Sequence, residues 1–128
     1  MKPRDLLHGD ITSRIISASL EVTAELGAGL VESVYEKALI IALQEKGLKV
    51  ESQVQLEVAF RGQCVGNFVA DLVVEDKVIV ELKAAKVLSP VHQAQVINYL
   101  NATGLDVALL VNFGTPKLEW KRLHRREQ

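Results

Sequence analysis

The hydrophobic positions in the first part of the chain recur with a helical period. Five of them mark one face of a first predicted helix, which has Asp10 as its N-cap. These positions are Ile11, Ile15, Ala18, Val22 and Leu26. After Gly27 and Gly29, spacings of three and four residues predict a second helix. Its apolar stripe comprises Val31, Val34, Tyr35, Ala38, Leu39 and Ala42.

The period then changes to two, which is typical of half-buried strands. Apolar residues alternate with polar ones from Gln53 to Phe60, and the turn Arg61-Gly62-Gln63 follows. We predict a second strand over residues 65–74 and a third over 78–84, joined by a tight turn at Glu75-Asp76-Lys77. The sequence therefore predicts an antiparallel meander of three strands.

A third helix and two further strands complete the predicted order. Ser89-Pro90 resembles an N-cap followed by proline at the first helical position, and Gly104 ends the helix. The continuous apolar run 106–113 is typical of a central strand covered on both faces, and 118–124 is a more polar strand. The order ααβββαββ predicts one α/β domain over residues 1–128, with a helical crossover.

Composition narrows the classes of function. The formal net charge of −1 disfavours a protein that relies on non-specific phosphate contacts, so a nucleic-acid role requires a local site. The single cysteine excludes an internal disulfide and fits a reducing compartment. The sequence has neither an apolar signal segment nor a run long enough to span a bilayer, so we expect a cytoplasmic protein without membrane contact.

Three charged residues interrupt the apolar second and third strands: Asp71, Glu81 and Lys83. If residues 75–77 form a three-residue loop, Asp71 lies opposite Glu81, with Cβ atoms roughly 5 Å apart. Two carboxylates so placed repel each other unless a positive charge lies between them. Lys83 supplies one such charge, and Mg²⁺ bound by one or two carboxylates would supply another. A surface hairpin with an ordinary cross-strand ion pair is the alternative, but the apolar flanking residues favour the metal site.

The sequence D…(D/E)xK, formed by Asp71 and Glu81-Leu82-Lys83, resembles the motif of the PD-(D/E)XK nuclease superfamily, although Ala70 stands where the proline would be. The stretch from Gly29 to Tyr35 is similar to the motif of the GxxExxY family within that superfamily. Gln95 and Tyr99 resemble the QxxxY motif of its RecB-like nucleases. The resemblance covers nearly the whole chain and implies an αβββαβ core, a mixed central sheet flanked by helices.

The resemblance also implies roles for individual residues. Asp71, Glu81 and Glu32 would be ligands of Mg²⁺ or Mn²⁺, and Lys83 would orient the attacking water or stabilise developing negative charge. Gln95 and Tyr99 would line the site and contact the substrate or position the lysine. The implied activity is metal-dependent hydrolysis of phosphodiester bonds in DNA or RNA.

Two other functions fit the same residues. One is a nuclease-fold module that binds nucleic acid or a protein partner with little or no catalysis, since a fold hosts many functions. The other is hydrolysis of a small nucleotide or another phosphoester, which the slightly negative net charge allows. A homodimer is a further hypothesis, because cleavage of both strands of a duplex calls for two sites.

Overall fold

The computed structural model describes residues 7–125, and their element order is the predicted one. The helices are α1 (Gly9–Leu26), α2 (Glu32–Glu45) and α3 (Pro90–Thr103). The strands are β1 (Val50–Phe60), β2 (Gln63–Val74), β3 (Val78–Lys83), β4 (Val107–Asn112) and β5 (Glu119–His124). No helix in this part of the chain is long and apolar enough to cross a bilayer.

The five strands form one mixed sheet in the order β1-β2-β3-β4-β5. Only β3 and β4 run parallel among the described strands, because α3 carries the chain over one face between them. The other neighbouring pairs are antiparallel. The expected α/β fold with a mixed sheet flanked by helices is confirmed.

Two apolar clusters cover the two faces of the sheet. Leu72, Val80 and Leu109 belong to the cluster beneath α1 and α2. Ile79 and Leu110 belong to the cluster beneath α3. All six residues of β4 are buried, and the long apolar run in the sequence reflects this coverage on both faces.

The ends of α3 follow the predicted capping chemistry. The Ser89 hydroxyl accepts a hydrogen bond from the Val91 backbone N–H at 3.0 Å, and Pro90 occupies the first turn. Gly104 adopts φ 79° and ends the helix. This places the first turn of α3 next to the segment that leaves β3 at Lys83.

Two local predictions were wrong. The N-cap of α1 is His8, so Asp10 lies inside the first turn, where the helix dipole favours a carboxylate. The β1–β2 turn consists of Arg61 and Gly62 alone, because Phe60 pairs directly with Gln63. Both turn residues have positive φ, as in the two-residue hairpin loops that match the right-handed twist of the strands.

Candidate active site

Asp71 and Glu81 are brought together by the turn between β2 and β3. The predicted register is confirmed, since Val74 pairs with Val78 and Val73 with Ile79. Paired positions extend only to Leu72 and Val80. One step further, the Asp71 carboxylate Oδ2 accepts a hydrogen bond from the Leu82 backbone N–H at 2.9 Å. This contact fixes Asp71 beside the strand that carries Glu81.

The Glu81 side chain lies in the sheet interior and is only 9% exposed. Burial raises the pKa of Glu81 to about 9, and the hydrogen bond and negative charge of Asp71 contribute further. Lys83 acts in the opposite direction but does not restore ionisation at neutral pH. The Oε1 atom of Glu81 is buried and has no hydrogen-bond partner within residues 7–125. A buried acceptor of this kind is unusual and suits a ligand that donates a proton or carries positive charge.

An open pocket of about 170 Å³ lies where the start of α2 faces β1, β2 and β3. Its acidic lining residues are Glu32, Glu36 and Asp71. Ser33 and Gln53 are the other polar residues of the lining, and Gln53 Nε2 donates a hydrogen bond to Glu36 Oε1 at 2.8 Å. The pocket therefore combines Glu32 and Asp71, two of the expected acidic residues, in one cavity.

Glu36 and Gln53 were missed by sequence reasoning. Glu36 is four residues after Glu32, so both carboxylates project from one face of α2. Gln53 is the residue of β1 that lies between the pairs Ser52–Leu72 and Val54–Ala70, level with Asp71. Extending the hairpin register to β1 would have identified Gln53 as a neighbour of Asp71.

The loop before α2 is held by Tyr35, the last residue of the GxxExxY motif. Its hydroxyl donates to the Gly27 carbonyl at 2.5 Å and accepts from the Leu30 N–H at 3.1 Å. Gly29 lies within this loop at φ 103°, a backbone conformation that residues with a side chain rarely adopt. Tyr35 thereby fixes the start of α2 and the position of Glu32.

Lys83 ends β3 beside the end of β4, where it pairs with Asn112. The fully buried Asn112 side chain holds the segment after Lys83 by accepting from the Ala85 N–H at 3.0 Å and donating to the Ala85 carbonyl at 2.9 Å. Gly114 packs so closely on this segment that an added Cβ would lie 2.2 Å from the Ala85 oxygen. Within the described chain, the Lys83 ammonium forms no ion pair at 4.0 Å or less.

Gln95 and Tyr99 lie on α3 and form a hydrogen bond with each other, from Gln95 Nε2 to the Tyr99 hydroxyl at 3.1 Å. The Tyr99 ring stacks on Phe68 of β2, with 3.6 Å between ring centroids. Neither α3 residue lines the pocket that contains Glu32 and Asp71. The structure thus places Glu32 and Asp71 in one pocket and Glu81 beside Asp71. Glu81 pairs with Leu110 and so lies on the α3 side of the sheet, the side that carries the Gln95–Tyr99 pair.

The chemistry of these side chains fits a hard divalent cation. Carboxylate oxygens are the preferred ligands, and a cation would relieve the repulsion between Asp71 and Glu81 and satisfy the unpartnered Glu81 Oε1. No three Asp, Glu, His or Cys side chains among residues 7–125 converge into a ready-made cage. A hard divalent cation does not need such a cage, because one or two carboxylates are enough when water and a phosphate group complete its shell.

Comparison with known proteins gives a family match and structural relatives. The model of the PD-(D/E)XK nuclease superfamily matches residues 9–123. None of the curated proteins compared with the chain has significant sequence similarity to it.

Two solved structures share the fold at 16% sequence identity. SSO0001 has a TM-score of 0.59, over 98% of this chain and 63% of its own. An alkaline exonuclease (LHK-Exo) from Laribacter hongkongensis has a TM-score of 0.51, over 68% of this chain and 52% of its own. The chain thus spans only about half to two thirds of the length of these structures.

Proposed function

The chain belongs to the PD-(D/E)XK nuclease superfamily, and we propose that it hydrolyses phosphodiester bonds of DNA or RNA with Mg²⁺ or Mn²⁺. The observation that carries this proposal is the interaction between the Asp71 and Glu81 carboxyl groups, together with a buried Glu81 oxygen that has no hydrogen-bond partner within residues 7–125. The Tyr35 anchor beside Glu32 supports placing the chain in the GxxExxY branch.

The three carboxyl groups of the site would bind the cation and orient water. Asp71 and Glu81 would hold the cation, with Glu32 as a further acidic ligand at the pocket wall. When bound, a divalent cation stabilises negative charge on the phosphate and lowers the pKa of water. These three carboxylates would also orient water towards the phosphate through hydrogen bonds.

Lys83 would act on the water and on the phosphate. Its ammonium would hold the water oxygen in line with phosphorus and stabilise the extra negative charge as the new P–O bond forms. The attacking water releases a proton to solvent as this bond forms. The bond from phosphorus to the leaving oxygen breaks, and that oxygen takes a proton from water. Gln95 and Tyr99 would contact the substrate backbone on the α3 side.

The proposal is tested by a cleavage panel with purified protein. Supercoiled, linear, single-stranded and branched DNA and RNA are incubated with Mg²⁺, Mn²⁺ or EDTA. Lys83→Met should lose cleavage and keep Mn²⁺ binding, whereas Glu81→Gln should lose both. Lys77→Met removes an exposed lysine at the opposite end of β3 and should cleave like wild type. Cleavage that persists in EDTA or in Glu81→Gln would refute this assignment.

A second function is favoured by the state of the carboxyl groups themselves. The pKa of Glu81 is raised to about 9, and no three Asp, Glu, His or Cys side chains among residues 7–125 converge on one point. A module with the same fold that binds nucleic acid or a protein partner, with little or no catalysis, is therefore the alternative. Nucleic-acid binding without cleavage would support it.

A further inference from the structure

Gln53 has a strained backbone in the middle of a strand. Its φ is 51°, in the left-handed region that residues other than glycine, asparagine and aspartate rarely adopt. The other described residues with positive φ and a side chain lie at a helix cap or in turns: His8, Arg61, Glu75 and Asp76. A hairpin turn explains Arg61, whereas Gln53 lies inside β1, at the point where the apolar side chains of the strand change from the α1 and α2 side of the sheet to the α3 side.

The strain coincides with a gap in the β1–β2 ladder. Ser52 pairs with Leu72 and Val54 pairs with Ala70, but Gln53 and Asp71 between them are not paired. The register is the same on both sides of the gap, so no residue has been inserted. Gln53 is therefore turned out of the ladder directly beside Asp71.

The turned-out side chain has a specific contact. Gln53 Nε2 donates to Glu36 Oε1 at 2.8 Å, and both residues line the pocket that contains Asp71 and Glu32. Glu36 faces two like charges, because Asp71 and Glu32 both act on it electrostatically. Since a carboxylate among carboxylates tends to turn away towards solvent, the Gln53 amide supplies the donor that keeps Glu36 in the pocket.

We propose that Gln53 is a positioning residue, which fixes the Glu36 carboxylate as an additional acidic group of the cation pocket. The inference rests on the proposed metal-dependent function, and it assigns roles to two residues outside the D…(D/E)xK, GxxExxY and QxxxY motifs. It also accounts for the strain, because strained backbone persists where a functional side chain must be aimed. An ordinary strand conformation would leave Gln53 in the ladder and Glu36 without its donor.

The first test uses Gln53→Gly, which removes both the strain and the amide. Thermal unfolding should show an equal or higher melting temperature, because glycine adopts positive φ freely. Calorimetric titration with Mn²⁺ alone should show a dissociation constant raised by about 10- to 100-fold, the usual effect of losing a group that orients a ligand. Arg61→Gly is the matched control, since Arg61 has the same φ of 51° but lies in the distal hairpin turn. It should leave Mn²⁺ affinity unchanged.

The second test asks whether Gln53 acts through Glu36. Glu36→Gln should weaken Mn²⁺ binding, and adding Gln53→Gly to that variant should change the dissociation constant by less than about twofold, since the shared carboxylate is already gone. If the two substitutions reduce Mn²⁺ affinity additively, Gln53 does not act through Glu36. A Gln53→Gly variant with wild-type Mn²⁺ affinity, or with reduced melting temperature and reduced affinity together, would overturn the role of Gln53.

The outcomes also separate this inference from the proposed nuclease activity. Mn²⁺ binding by wild type without any cleavage would refute the nuclease proposal alone, and the Gln53 comparison would still decide this inference. Cleavage by wild type with unchanged Mn²⁺ affinity in Gln53→Gly would refute this inference alone. A wild-type protein that binds no Mn²⁺ would refute both.

Discussion

Replacement of Glu81 by glutamine should change how stability depends on pH. The pKa of Glu81 rises from 4.5 to about 9 on folding, so the native state keeps a proton that the unfolded state releases between these values. The free energy of unfolding is therefore highest, as far as Glu81 affects it, below pH 4.5. It falls by about 1.4 kcal/mol per pH unit as the pH rises towards 9. At pH 7 the loss is about 3 kcal/mol, and glutamine, which does not titrate, avoids it.

Urea unfolding in EDTA between pH 5 and pH 8, followed by circular dichroism, measures this difference. Near pH 5 the two proteins should have similar free energies of unfolding, because protonated glutamate and glutamine have similar shape. Glu81→Gln should then become the more stable protein by a margin that grows steadily with pH. Glu57→Gln removes an exposed carboxylate from β1 and serves as the control. A difference between wild type and Glu81→Gln that stays constant from pH 5 to pH 8 would refute the reasoning.

Three further predictions follow from the same contacts. Mn²⁺ binding at pH 7 should release about one proton, because Glu81 must ionise to bind the cation. Calorimetry in buffers of different ionisation enthalpy measures this proton release, and a binding heat that is the same in every buffer would contradict the prediction. Tyr35→Phe should destabilise the fold by about 1–2 kcal/mol and weaken Mn²⁺ binding, because the loop before Glu32 loses its anchor; urea unfolding and metal titration report both. Asn112→Ala should lower the free energy of unfolding by about 3 kcal/mol or more, since several buried polar groups lose their partner. It should also slow cleavage more than it weakens Mn²⁺ binding, because the segment after Lys83 is no longer held.

The sequence was sufficient to predict the parts of the fold that follow from periodicity and turn chemistry. The period of two and the turn at Glu75–Lys77 predicted the register that brings Asp71 near Glu81, and this register is confirmed. Ser89 and Gly104 predicted both ends of α3 through ordinary capping preferences. These features depend on local contacts, which a short window of sequence contains.

The pocket wall could not be predicted in the same way. Nothing in the alternating residues around Gln53 indicates a positive φ, and the contact that its side chain makes is with Glu36 of α2, which is distant in sequence. Val31 and Val34 fit an apolar helical stripe but are exposed, since α1 covers only part of α2. The depth of burial of Glu81 also depends on β4 and α3, which are distant in sequence.

The arrangement of β3 between an antiparallel and a parallel neighbour has a consequence for folding kinetics. The β2–β3 hairpin closes through a three-residue turn, an event that takes about 1–10 μs in isolated hairpins. The β3–β4 pair must wait for α3 to cross over, and such non-local pairing is slower. Asp71 therefore approaches Glu81 early, whereas Asn112 can hold the segment after Lys83 only once the crossover is complete. Refolding should consequently form the acidic pair in an early phase and position the lysine in a later one.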